Sequence, residues 1–295
     1  MNISKKSSHI YINLKLIPMT KNDLINIIAS IKADFKKNKL AYLSITSKCE
    51  DILRNAIAFR MHDIHYKNPL GPYVCREWNR FDLGVIDIND NPEIIIECKS
   101  HNSLDFPGFL LDPRIQYPIV SDIKKLLDKA GSKTELYFIY FNNVLKLTSP
   151  IPPNCKSHNN NPIGYHHLLL SKNPCNLLPY KDKVLRVFKN WAFLLKQLNL
   201  PLGLTTAIEI DAGNYYGIPV SIIAFIYGPF LSDNIDVTNS IVCNLPVGKT
   251  FHDPKFWEKE PYKNDLERVK LDGIKFYYED KALENLGNGI ISEPI

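Results

Sequence analysis

Between residues 79 and 99 the chain leaves helical spacing for alternation, and that switch narrows the fold to a sheet with helices packed on it. The segments 79–88 (NRFDLGVIDI) and 93–99 (EIIIECK) read as two strands, joined by Asn89-Asp90-Asn91-Pro92, residue types that favour tight turns. A turn centred on Asp90-Asn91 sets Asp82 opposite Lys99 and Gly84 opposite Glu97. Side chains alternate faces along a strand, so Asp82, Glu97 and Lys99 share one face. Phe81, Leu83, Val85, Ile94, Ile96 and Cys98 fall on the other, an apolar surface for a helix to cover.

The flanking segments supply those helices. Residues 20–40 carry Leu24, Ile25, Ile27, Ile28, Ile31 and Phe35 at helical spacing, with Thr20 or Asn22 as N-cap. A second helix from about residue 47 places Cys49, Ile52, Leu53, Ala56, Ile57 and Ile64 largely on one side and ends before Pro69. After the hairpin come a helix at 121–130, closed by Gly131, and an apolar strand at 135–142. The expected class is α/β: a mixed central sheet flanked by helices in the order helix, hairpin, helix, strand over 47–142. Residues 146–180 form an irregular excursion, 181–199 a helix, and 205–211 with 218–227 a hairpin; the polar stretch 245–295 gives little pattern. We expect a single compact domain over 1–295, with 146–295 completing the core and contributing to target recognition.

Two carboxylates and a lysine set close together in an apolar sheet carry a desolvation cost that folding alone does not explain. A divalent cation explains them. Asp82, Glu97 and the backbone carbonyl of Cys98 are hard oxygen donors suited to Mg²⁺, with Mn²⁺ able to substitute. Such an ion lowers the pKa of water and neutralises charge building on a phosphodiester, while Lys99 orients or helps to deprotonate the attacking water. The competing explanation is an ordinary cross-strand ion pair, worth under about 1 kcal/mol. The apolar runs entering both motifs favour the metal.

Arg80-Phe81-Asp82-Leu83 followed by Ile95-Ile96-Glu97-Cys98-Lys99 resembles the PD-(D/E)xK nuclease superfamily, which includes most type II restriction endonucleases. The resemblance covers residues 47–142, and Phe81 stands where the motif's proline would be. It implies a restriction-endonuclease-like core and Mg²⁺-dependent phosphodiester hydrolysis, with Asp82 and Glu97 as metal ligands and Lys99 as the catalytic lysine. Glu50 corresponds to a glutamate that such nucleases often carry on the preceding helix; its alternative is a capping box with Ser47. Asp87, on the apolar side near the turn, is a weaker candidate for the metal.

Arg76, Arg80 and Lys67 flank the centre as phosphate-contact candidates, and His101 and Asn102 follow it as substrate-contact candidates. Lys124 and Lys125 face either the cleft or water. The histidines at 158, 166 and 167 lack paired ligands at zinc spacing and read as loop residues; Asn214, Tyr215 and Tyr216 cover a core edge or present themselves to DNA.

A net charge of +5 suits a polyanionic partner without demanding one. The six cysteines form no CxxC pair and no dense framework, which favours reduced thiols. No signal peptide, membrane-length apolar run or GxxxxGK[ST] loop occurs, so a soluble cytoplasmic protein without a motor is expected. The expected substrate is double-stranded DNA, cut by a restriction or defence-type endonuclease. A homodimer cuts both strands most simply, with the aromatic segment 251–262 as first interface candidate. The alternatives are a non-catalytic nucleic-acid-binding module on the same fold and an RNA-directed nuclease.

Overall fold

A computed structural model describes residues 19–46, 49–66, 71–102, 113–129, 131, 133–146, 180–215, 218–231, 275–278 and 281–283. The helices in chain order are α1 (Lys21–Ala29), α2 (Lys39–Thr46), α3 (Glu50–His65), α4 (Pro113–Lys129) and α5 (Tyr180–Gln197). The strands are β1 (Tyr73–Arg76), β2 (Leu83–Ile86), β3 (Pro92–Asn102), β4 (Glu135–Leu145), β5 (Thr205–Tyr215), β6 (Ile218–Phe230), β7 (Lys275–Tyr278) and β8 (Lys281–Leu283). Among the described residues they form one eight-stranded sheet in the order β1-β2-β3-β4-β6-β5-β7-β8. The pairs β3/β4 and β5/β7 are parallel and the others antiparallel, so the protein is α/β with a mixed sheet.

Alternation along the strands builds two cores. On one face Leu83, Val85, Ile94, Ile96, Cys98, Ile139, Phe141, Ile208 and Ile222 meet α1, α2 and α3 through residues such as Leu24, Ile28, Leu53 and Ile57. On the other, Ile95, Phe138, Tyr140, Ala207 and Phe225 meet Ile119, Ile123 and Leu126 of α4 and Phe188, Trp191 and Leu195 of α5. Trp191 lies nearly parallel to Tyr140 and Phe225, at 5.6 and 5.0 Å, and its indole nitrogen donates to Thr205 Oγ1, which clamps α5 across β4, β6 and β5. No described helix is long and apolar enough to cross a membrane.

Several sequence expectations shift. The helix expected over 20–40 divides into α1, a 3₁₀ turn at Ile31–Asp34, and α2. Thr20 caps α1 in a capping box with Asp23, and the hydroxyl of Ser30 donates back to the carbonyls of Asn26 and Ile27 where α1 stops. The helix expected from 121 begins eight residues earlier, at Pro113. Residues 73–76, read as part of no strand, form β1 along the edge beside β2.

The hairpin turn is also longer than two residues. Asp87 accepts the amides of Asn89 and Asn91 with one carboxylate oxygen, and its own amide donates to the Asn91 carbonyl, so the turn centres near Asn89. Asp87 is thereby occupied in the turn and away from the carboxyl pair described below. The observed pairs are Leu83↔Ile96, Gly84↔Ile95 and Val85↔Ile94, with a bulge before Ile86. Relative to the expected register this is a slip of two residues, which preserves which face each side chain occupies. Gly84 thus sits opposite Ile95 rather than Glu97, and extending the ladder by one residue brings Asp82 level with Glu97 rather than Lys99. Phe81 departs from its expected face: the turn Glu77–Arg80, with Glu77, Asn79 and Arg80 at positive φ, redirects it into the α4 and α5 core.

Candidate active site

β2 ends its pairing with β3 at Leu83↔Ile96, whereas β3 continues to Asn102 with only β4 beside it. The edge of β3 from Glu97 onward is therefore open, and its amides on that side need other acceptors. Two carboxylates fill the gap. Asp82 Oδ2 accepts from the Cys98 amide at 2.8 Å, and Glu50 Oε2, from the first turn of α3, accepts from the Ser100 amide at 2.8 Å. Because the N–H and C=O of one strand residue point to the same side, the Cys98 carbonyl also faces this open edge, as a backbone metal ligand would have to. The thiol of Cys49, immediately before α3, lies 2.9 Å from Ser100 Oγ and fixes the helix start against the strand.

Glu97 is 3 % exposed and lies beside Asp82. Burial first, and then the neighbouring Asp82 carboxylate, push its carboxyl up to about 9, against the opposing pull of Lys125. Burial pushes Asp82 the same way, but hydrogen bonds from Glu97, the Cys98 amide and Arg54 outweigh it and hold Asp82 below the ordinary aspartate value. The two neighbouring carboxyls are thus driven apart, Glu97 up and Asp82 down.

The surrounding cations come from both layers of helices. Arg54, one turn beyond Glu50 on α3, donates to Asp82 Oδ1 at 2.9 Å and reaches Asp51 and Glu77 at 3.1 and 3.3 Å. Lys125 on α4 contacts the Glu97 carboxylate, donates to the Arg80 carbonyl at 2.7 Å, and lies 5.1 Å from the centre of the Phe81 ring. Lys99 sits 3.2 Å from Asp122 and 3.7 Å from Glu50. Burial would lower the Lys99 pKa, but Glu50 and Asp122 overcome it and raise the pKa above the ordinary lysine value. Lys99 is thus held as an ammonium, which suits it to orienting water and phosphate; the expectation that it also helps to remove a proton is not what these neighbours favour in the cation-free protein.

Asp82, Glu97, Lys99, Glu50 and the Cys98 backbone therefore converge at one strand edge, in a register different from that expected. The flanking candidates do not all join them. Arg76 donates to Asn55 at 2.9 Å and is exposed, while Arg80 is exposed and touches the site through its carbonyl. His101 stacks at a tilt on Tyr140, 5.6 Å away, on the face shared with Lys99, and Asn102 ends β3. Lys67, Ser47, His158, His166, His167, Tyr216 and the segment 251–262 lie outside the described residues. Asn214 donates its amide to the side chain of Asn38.

Arg54 and Asp122 were not among the residues expected at the site, and Lys125, which could face either the cleft or water, reaches it. Two spacings pointed to them: Arg54 follows Glu50 by four and Lys125 follows Asp122 by three, so each pair shares a helix face.

The donor set fits a hard divalent cation. It comprises two neighbouring carboxylates, a strand-edge carbonyl and a further glutamate at the same edge, all oxygen. Among the described residues no group of three or more His, Cys, Asp or Glu side chains converges at metal-binding separation, and Arg54 and Lys125 contact two of the carboxylates. No protein-family model, curated protein or solved structure matches the chain.

Proposed function

We propose that this chain is a Mg²⁺-dependent endonuclease hydrolysing DNA phosphodiester bonds, on a core like that of the restriction endonucleases, and that it is of the restriction or defence type. The observation that carries the proposal is the Asp82–Glu97 carboxyl pair at the open edge of β3, with Lys99 two residues further along the same strand face. Asp82 and Glu97 lie side by side at an unpaired strand edge, and burial together with Asp82 pushes the Glu97 carboxyl up even with Lys125 in contact, a cost that folding alone does not reward. The resemblance in Arg80–Leu83 and Ile95–Lys99 supports the same reading.

Asp82, Glu97 and the Cys98 carbonyl would hold the ion, with Glu50 beside them. A bound Mg²⁺ supplies Lewis-acid stabilisation of the phosphoryl oxygens and a more acidic water. The chain supplies the rest. Arg54 fixes the rotamer of Asp82, Glu50 and Asp122 aim Lys99, and the Lys99 ammonium faces the charge that grows on the phosphate in the transition state. Cutting both strands of a duplex is most simply done by two such centres, which a two-fold homodimer supplies.

The direct test is incubation of purified protein with plasmid DNA. Cleavage is expected with Mg²⁺ or Mn²⁺, and Ca²⁺ should support binding better than cutting. Undiminished cleavage in EDTA overturns the proposal. A second reading, a DNA-binding module that does not cut, is favoured by the ion pairs that Arg54 and Lys125 already make with Asp82 and Glu97. Under that reading, DNA affinity is unchanged by Asp82→Asn or Glu97→Gln and no cation gives cleavage.

A further inference from the structure

The sequence motif contains one lysine, Lys99, but the folded site contains two. Lys125 approaches Glu97 from α4, on the same side of the sheet, and its ammonium has two further supports that do not depend on Glu97: the Arg80 carbonyl at 2.7 Å and the Phe81 ring at 5.1 Å. Its side chain is 23 % exposed, so the ammonium lies at the boundary between the carboxyl pair and solvent, where a phosphate would arrive. Lys99 is held on both sides, by Glu50 and Asp122, whereas among the described residues the carboxylate in contact with Lys125 is the one a divalent cation would take.

We propose that Lys125 is a second substrate-positioning lysine, which rests on Glu97 while the cation is absent and turns to the phosphodiester when a cation takes that carboxylate. The inference rests on the cation-binding reading of Asp82 and Glu97. The geometry favours the exchange: an ammonium and a divalent ion on one carboxylate lie a few ångströms apart in a partly buried site, where like charges repel. Loss of the Glu97 contact does not leave Lys125 unsupported, because the Arg80 carbonyl and the Phe81 ring remain. The turn Glu77–Arg80 thus becomes part of the phosphate-binding apparatus through its backbone: Arg80, at φ 73°, directs its carbonyl to the lysine. This gives Arg80 a role through its main chain, where the sequence offered its side chain.

Two measurements on the full chain test this, each with Lys125→Met, which keeps the aliphatic stem against Phe81, and Lys125→Arg, which keeps the charge. In a calorimetric titration with Mn²⁺ and no DNA, Lys125→Met should bind the ion at least about tenfold more tightly than the wild type, having lost its internal competitor, and Lys125→Arg should not. In binding of a short duplex oligonucleotide, Lys125→Met should lose about tenfold in affinity with Ca²⁺ present and change little in EDTA, where wild-type Lys125 is engaged on Glu97; the salt dependence with Ca²⁺ should fall by about one phosphate contact. Equal Mn²⁺ affinity in wild type and Lys125→Met, or an equal loss of DNA affinity with and without Ca²⁺, overturns the exchange and leaves the nuclease reading standing. Failure of both wild type and Lys125→Met to bind Mn²⁺ overturns the cation reading itself, and the inference with it.

Discussion

Replacing Glu97 by Gln removes an ionisable group that the fold keeps protonated, and the consequence for stability can be worked out. In the unfolded chain a glutamate releases its proton near 4.5, whereas in the folded, cation-free protein burial and Asp82 push it to about 9. Between those values the folded state binds more protons than the unfolded one, so this group makes stability fall as pH rises, by up to about 1.4 kcal/mol per pH unit. By pH 7 the accumulated loss approaches about 3 kcal/mol. Gln has no proton to lose, and its amide N–H can still donate to Asp82. In EDTA, urea melts should therefore show Glu97→Gln close to wild type near pH 5 and progressively more stable than it up to about pH 8, while Mg²⁺ should stabilise the wild type and leave the variant nearly unmoved. Asp82 does not obscure the comparison: its depressed pKa contributes stability that is lost only as pH falls below the ordinary aspartate value. Parallel pH profiles for the two proteins in EDTA would refute the reasoning, because they would mean that Glu97 is already ionised at neutral pH and that Asp82 does not crowd it.

Lys99→Met should lower the cleavage rate by about two or more orders of magnitude, with circular dichroism unchanged, since it removes a charge facing the transition state but little core packing. Arg54→Met should cost about 3 kcal/mol in urea melts, because it leaves the Asp82 carboxylate, 16 % exposed, without its cationic partner, and Asp82→Asn in the same background should recover much of that loss. Sedimentation of the protein with and without duplex DNA should reveal a dimer at least in the complex; a strict monomer in both conditions removes the two-fold arrangement and leaves the carboxyl pair as it is.

The cores and the strand that carries Glu97 and Lys99 were legible in the sequence because they depend on alternation, and alternation survives an even slip in register. Ile94, Ile96 and Cys98 face α1–α3 and Glu97 and Lys99 face α4 whether Asp82 lies opposite Lys99 or level with Glu97. The slip itself was hidden in Asp87, whose side chain lengthens the turn by accepting two amides, a choice its residue type permits but does not require. Phe81 was misplaced for a related reason: period-two counting assumes an extended backbone, and the positive φ at Asn79 and Arg80 breaks it immediately upstream. The residues that complete the candidate site lie on two helices, Arg54 on α3 and Asp122 and Lys125 on α4, and only the packing of those helices on the two faces of the sheet shows that both reach the same edge. β7 was invisible because it is four residues long and parallel to β5, so no local turn announces its pairing.

The charges at the edge of β3 give this arrangement a logic that no single contact carries. Four partly or fully buried carboxyls, Glu50, Asp82, Glu97 and Asp122, meet three cations, Arg54, Lys99 and Lys125, while the exposed Asp51 and Glu77 reach Arg54 from the solvent side, where water screens them. Among the inner groups, one proton on Glu97 balances the charge. A divalent ion that displaces that proton leaves one positive charge in excess, which the single negative charge of a phosphodiester cancels. Neutrality is thus available in two states, proton-bound or occupied by cation and phosphate together, whereas cation alone or phosphate alone leaves a partly buried imbalance. The same free energy must then appear on both sides of the coupling: DNA tightens cation binding by the factor by which the cation tightens DNA binding. On the nuclease reading proposed above, a site of this composition would bind its cation more tightly with DNA present than without it, which would favour hydrolysis in the DNA complex.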